Sequence, residues 1–352
     1  MTLDLQLIWA ALIALAVLLY VSLDGFDLGV GILHPVLSRT EQDRQIMLRS
    51  IGPVWDGNEV WLLAGGGTLY FAFPALYASA FSGFYLALMI VLWLIILRGA
   101  SIELRMHIDD RLWRAFFDAL FFISSLLLAV FFGAALANVI RGVPLRADGY
   151  FFLPLWTNWR VGPEPGILDW YTVIGGVVAL VALAVHGALY LAVKTEGELQ
   201  ARARNFVHRS WIVLFGITVI SLVATIAVRS DTLTNYYSYP VAFVIPVAVV
   251  VSLGGILYFC RSDADRKAFA SSCVYLVSMM VGAAVSQYPR LLSSSGYLGH
   301  DLTVQNSISG PYALRVGLVW WSVGMVLAAV YFVIVYRMFR GKVTLDGGGY
   351  GH

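Results

Sequence analysis

The chain has 352 residues, 60% of them hydrophobic and only 12% charged, and its mean hydropathy is +0.79. A soluble domain of this size cannot keep so much apolar surface from water, so the composition reads as an integral membrane protein. The net charge of +2 is spread over short loops and not gathered into a stripe, which excludes nucleic acid as a partner, and the two cysteines, Cys260 and Cys273, lack the spacing of a zinc or iron–sulfur site.

Apolar runs of spanning length fall at about 7–37, 113–140, 167–193, 206–228, 239–260, 267–288 and 313–338. No basic leader or small-residue cleavage site precedes the first run, which is therefore expected to be a retained span. Between Trp55 and Arg98 lies a continuous apolar stretch of 44 residues. As helix it would measure about 66 Å, twice a hydrocarbon core of about 30 Å, so it is expected to cross twice and turn near Phe73-Pro74. With that double crossing, 17 of the 23 Lys and Arg follow the first, third, fifth, seventh and ninth spans. The charge bias then predicts an all-α polytopic membrane protein of nine transmembrane helices, N-terminus outside and C-terminus in the cytoplasm.

An internal echo supports a finer division. Arg39-Thr40-Glu41 is matched by Lys194-Thr195-Glu196, and Arg114-Ala115-Phe116 by Lys267-Ala268-Phe269, at offsets of 153 to 155 residues. These matches predict two four-helix bundles in the same orientation, over 1–140 and 167–288, plus one peripheral ninth helix over 313–340. Outer loops rich in Pro, Gly, Ser and Asn fill 141–166 and 289–312, 341–352 is a cytoplasmic tail, and its residues Leu345 to His352 are expected to be disordered.

The candidate site lies between Asp24 and Glu59. Carboxylates are costly in hydrocarbon, and Asp24, Asp27, Asp56 and Glu59 sit inside or at the edge of spans. Asp24, Asp27 and Gly31 share one helix face, while Gly25 and Gly29 form a small-residue motif on the adjacent face that lets a neighbouring backbone come close. Counted from the turn at Arg39, Asp24 lies about 22 Å deep. With Asp56 and Glu59 opening the next span, the four acids form a ladder from the cytoplasm to mid-membrane, suited to carrying protons or ions. The alternative is that they are structural acids, paired with an arginine such as Arg98 or capping a helix at Asp56.

Other candidates are weaker. Glu103 and Asp118 read as ordinary interfacial charges. His186 is inside a span, but the remaining histidines fall at helix ends, in loops or in the tail, so an interhelical hydrogen bond suits it better than haem ligation. Trp55, Trp61, Trp113 and Trp211 read as interfacial belt residues, and Gly65-Gly66-Gly67 as a site of close helix packing rather than a phosphate loop.

Leu23-Asp24-Gly25-Phe26-Asp27-Leu28-Gly29-Val30-Gly31, Gly52-Pro53-Val54-Trp55-Asp56-Gly57-Asn58-Glu59-Val60-Trp61, Phe81-Ser82-Gly83-Phe84-Tyr85 and His186-Gly187-Ala188-Leu189-Tyr190 carry a resemblance. With them the whole chain resembles subunit II of the cytochrome bd quinol oxidases, including the cyanide-insensitive branch. Tyr288-Pro289 and Gly310-Pro311-Tyr312 are also similar, although Arg290-Leu291-Leu292-Ser293 stands where the family usually has a proline. The resemblance implies a nine-helix subunit in a bacterial inner membrane, paired with a homologous subunit I that carries haem b, haem d and the quinol-oxidising loop. It further implies that this chain ligates no haem and no metal, that a structural quinone can bind it, and that a small single-helix accessory subunit can join the complex. The carboxylate matching Asp56 is associated in the family with the cytoplasmic proton entrance. Two other readings stay open at the level of residues: a proton-coupled secondary transporter, and a purely structural assembly subunit.

Overall fold

The structure is a computed structural model that describes residues 4–295 and 300–343; the tail from Leu345 lies outside the described residues. Hydrophobic runs interrupted by caps and prolines give twelve α-helices among them. These are α1 (Leu5–Leu37), α2 (Glu41–Ile51), α3 (Trp55–Ala72), α4 (Pro74–Gly83), α5 (Tyr85–Leu104), α6 (Arg111–Arg141), α7 (Trp170–Lys194), α8 (Gly197–Val228), α9 (Thr234–Ser238), α10 (Val244–Arg261), α11 (Asp265–Gln287) and α12 (Pro311–Met338). Asp4, Asp110 and Asp169 cap α1, α6 and α7 by accepting first-turn backbone N–H bonds.

Among the described residues, eight helices are long and apolar enough to cross a bilayer: α1, α5, α6, α7, α8, the α10 segment from Pro240, α11 and α12. The chain is thus a multi-pass membrane protein. Helix α3 is 18 residues, about 27 Å, but Asp56, Asn58, Glu59 and its glycines dilute its apolar character below that of the other eight.

Local structure departs from the sequence expectations in identifiable places. The basic turn after the first span is a helix, α2, started by a capping box in which Thr40 and Asp43 satisfy each other's backbone donors. The apolar stretch 55–98 breaks twice, at Phe73 before Pro74 and again at Phe84. At the second break Gly83 lies under the Phe151 ring, only 2.2 Å from where a Cβ would sit. Helix α8 begins nine residues before its apolar run because charged residues continue it past the interface. In the second long loop, Arg290–Leu292 pairs antiparallel with Leu302–Thr303.

Helix α1 is central, packing against α3, α6, α7 and α11; α5 packs on α6, α8 on α7, and α10 on α11 and α8. Two close crossings set this arrangement. At one, Gly29 of α1 faces Gly187 of α7, and at the other Gly133 of α6 faces Gly175 of α7. The expected role of Gly25 and Gly29 is therefore realised against α7. Of the Gly65-Gly66-Gly67 run, Gly65 is buried against Ala16 and Val17 of α1, whereas Gly66 and Gly67 have nothing within 4 Å. Helix α12 is peripheral, and Leu314 is its one buried residue.

Most Lys and Arg gather at the end of the bundle that holds α2 and the α5–α6, α7–α8 and α10–α11 turns, here called the basic end. At the other end Arg229 and Arg290 clasp Asp231. The Arg229 hydrogen bonds, joined by Arg290, hold the Asp231 carboxyl down to about 2.

Candidate functional site

Asp24 and Asp27 are one turn apart on α1 and are 0% and 1% exposed. Burial of that kind demands partners. The Arg98 guanidinium of α5, itself buried, donates to Asp24 Oδ2 and Oδ1 at 2.8 and 2.5 Å in a forked pair, and to Glu59 Oε2 of α3 at 3.1 Å. Asp27 takes a different partner. Its Oδ2 accepts from Asn58 Nδ2 at 2.7 Å, and Asn58 Oδ1 accepts from the Tyr336 hydroxyl of α12 at 2.8 Å. Two carboxylates thus share one guanidinium, with Asp27 one turn away on α1, and four helices meet there.

The structure places Asp56 apart from this group, exposed on the first turn of α3 and one turn before Glu59, with no ion pair among the described residues. It also revises the ladder. Asp24 and Glu59 share one guanidinium and so lie at one level, not at successive depths. Helix α1 is 33 residues, about 50 Å, so it overshoots a hydrocarbon core of about 30 Å, and counting inward from Arg39 overstates the depth of Asp24.

A second polar cluster lies at the basic end. Arg105, 1% exposed, donates to Asp118 at 2.5 and 3.1 Å and to Glu41 at 3.0 and 3.1 Å. Burial alone would raise the Glu41 carboxyl, but the Arg105 hydrogen bonds outweigh it and hold Glu41 below the ordinary carboxylate range. Arg44 and His34 each approach Asp118 to 3.5 Å. Asp118 is therefore not an ordinary interfacial charge. No local pattern marks it, because its partners come from α1, α2 and the end of α5.

His186 is held at both ring nitrogens. Nε2 lies 3.0 Å from the Ser22 carbonyl oxygen, which only accepts, so Nε2 donates, and Nδ1 lies 2.7 Å from the Ser272 hydroxyl, which is also 2.7 Å from the Phe269 carbonyl oxygen. The ring stacks on Phe269 at 4.8 Å. Among the tryptophans, Trp61 is buried and stacked on Phe332 at 5.4 Å, so it is a core residue and not a belt residue. Trp113 and Trp211 donate to the Leu104 and Leu253 carbonyls. No group of three or more His, Cys, Asp or Glu among the described residues could hold a metal ion.

Buried carboxylates locked to arginine among apolar helices define a polytopic membrane protein with an intramembrane ion-pair cluster. The chain belongs to the family described as cytochrome bd terminal oxidase subunit II, whose profile matches residues 5–339. It is 31% identical to cytochrome bd-I ubiquinol oxidase subunit 2 of Escherichia coli (strain K12), over 97% of this chain and 96% of that protein. It is 30% identical to cytochrome bd ubiquinol oxidase subunit 2 of Bacillus subtilis (strain 168), over 88% of each. The fold is similar to a chain of the bd oxidase from Geobacillus thermodenitrificans, with a TM-score of 0.75 and 16% identity over 96% of this chain and 99% of that one.

Proposed function

We propose that this chain is the second subunit of a quinol:oxygen oxidoreductase, that it supports a haem-bearing subunit I, and that it carries protons from the cytoplasm for the reduction of oxygen to water. The family match along nearly the whole chain carries this reading and favours it over a secondary transporter. Nine crossings follow if α3 spans despite its acids, with α4 lying at the outer surface between α3 and α5. The basic end then faces the cytoplasm. The reading divides the spans into two four-helix groups, α1, α3, α5, α6 and α7, α8, α10, α11, which meet where α7 packs against α1 and α6. Haem b and haem d belong to subunit I in this reading; His186 already has partners at both ring nitrogens.

In this reading Asp56 receives protons at the water-exposed start of α3, Glu59 is its neighbour one turn inward, and Asp24, at the level of Glu59, and Asp27 are the fully buried acids beyond it. A route into a low-dielectric interior needs an ionisable group at its mouth that exchanges with water. Asp56→Asn keeps the shape but cannot carry the proton. It is expected to slow quinol-dependent oxygen consumption on the order of tenfold, about 1.4 kcal/mol of barrier, with an unchanged haem spectrum of the assembled complex, while Asp56→Glu retains much of the rate. Wild-type turnover in an assembled Asp56→Asn complex refutes the role. For topology, reporter fusions after His352 and near Gly149 are expected on opposite sides of the membrane, and a shared side overturns the nine-span reading.

A further inference from the structure

We infer a second proton route into the acid cluster, a hydrated polar seam between α1 and α6 that joins the Arg105–Asp118–Glu41 cluster at the basic end to Asp27. The inference rests on the reading of Asp27 as one of the deeper proton-accepting acids, and adds an entry distinct from Asp56.

Asp27, Gly31 and His34 are spaced four and three residues apart on α1 and so share one face. Helix α6 runs antiparallel beside that face. Asp118 lies 3.5 Å from His34 Nε2, the Phe121 ring meets the His34 ring at 5.5 Å, and Ser125 stands against Gly31, its Oγ 2.1 Å from where a Cβ would be. Any side chain at position 31 would displace this hydroxyl. Glycine lets it reach α1 midway between Asp27 and His34.

Three atoms along this face are buried without a hydrogen-bond partner among the described residues: Asp27 Oδ1, Ser125 Oγ and His34 Nε2. Ser125 is the telling one. Its neighbour Ser124 turns its hydroxyl back to the Leu120 carbonyl at 2.6 Å, the usual resort of a helical serine, whereas Ser125, 0% exposed, does not. Buried polar atoms left unsatisfied by protein are those that internal water satisfies. The backbone rises about 6 Å from Asp27 to Gly31 and about 4.5 Å from Gly31 to His34, steps on the scale of a single bridging water. At the basic end the chain of groups reaches solvent, since Glu41 and Arg44 are 37% and 41% exposed. A proton can then pass from the surface through Asp118 and His34, over water and the Ser125 hydroxyl, to Asp27.

The test uses the intact oxidase complex. A map of the unaltered complex sharp enough to show water is expected to contain ordered density within hydrogen-bond reach of Asp27 Oδ1, Ser125 Oγ and His34 Nε2; a dry seam overturns the proposal. In parallel, Ser125→Val removes the hydroxyl and fills the space. In the Asp56→Asn complex, where the seam carries the remaining flux, it is expected to lower the residual oxygen consumption several-fold with an unaltered haem spectrum, and Ser125→Thr to restore most of that residual rate. An undiminished residual rate in the assembled Asp56→Asn, Ser125→Val complex overturns the seam. If Asp56→Asn is slow in the same assay, the acid-cluster reading survives that failure; if Asp56→Asn is also at the wild-type rate, both fall. Should Ser125→Val fail to assemble, the water map decides.

Discussion

Arg98→Gln is expected to keep the chain from accumulating in the membrane as a folded subunit. The substitution leaves Asp24 fully buried with no counter-charge, and breaking a buried pair from one side costs about 3–5 kcal/mol. That is a large part of the roughly 5–15 kcal/mol that holds a typical domain together. Glu59 adds less, because it is partly exposed and keeps access to water. The double change Arg98→Met with Asp24→Leu removes both charges and should recover much of the accumulated protein, although not the proposed proton transfer. Immunoblotting of membranes and the thermal stability of the purified complex read both effects. Wild-type levels of Arg98→Gln would mean that Asp24 finds another partner.

Gly29→Ala is expected to do comparable damage through shape alone. A Cβ at position 29 would lie 2.1 Å from the Leu183 carbonyl oxygen and 2.7 Å from Gly187 Cα, both backbone atoms of α7 that no rotamer change can move. The helices must separate, and overpacking of this kind costs about 1–3 kcal/mol or more. Separation would also pull α1 away from His186, whose Nε2 holds the Ser22 carbonyl. Gly216→Ala is the control, since nothing lies within 4 Å of it and helix propensity should make it neutral or stabilising by up to about 1 kcal/mol. Equal melting temperatures for the two variants would rule out the tight crossing.

Hydrophobic length and charge bias made the long helices legible from sequence because the bilayer imposes one period and one length on every span. The ends of α1, α6, α7, α11 and α12 fall within a few residues of the apolar runs. What escaped was set by pairwise contact. The break at Phe84 depends on Phe151 seating over Gly83, and nothing local announces that ring. Helix α2 was legible in principle, since Thr40 and Asp43 have the spacing of a capping box, but its basic residues read more readily as a turn.

The candidate site divides in the same way. The acids stand out because they break an apolar pattern, and Arg98 could be named as a partner because it breaks one too. Asn58 and Tyr336 were invisible, being ordinary polar residues joined across 278 positions of chain. Asp118 was misread for the same reason: its burial is made by Arg105 and Glu41, and the latter lies 64 residues from that arginine.

The Arg98 pairing also imposes an order of events during synthesis. Helices α1 and α3 leave the ribosome carrying Asp24, Asp27 and Glu59 before the arginine that answers them has been translated. Each aspartate near the middle of an inserting helix costs about 2.5–3.5 kcal/mol, which the strongly apolar remainder of α1, at hydropathy 2.3, can offset, whereas the weaker α3 has much less to offset its own acids. If α3 spans as proposed, it has little reason to stay in the lipid until α5 enters. Insertion of α5 is then the step that captures it, so the nascent chain commits to its membrane topology in a block ending near Leu104 and not one helix at a time.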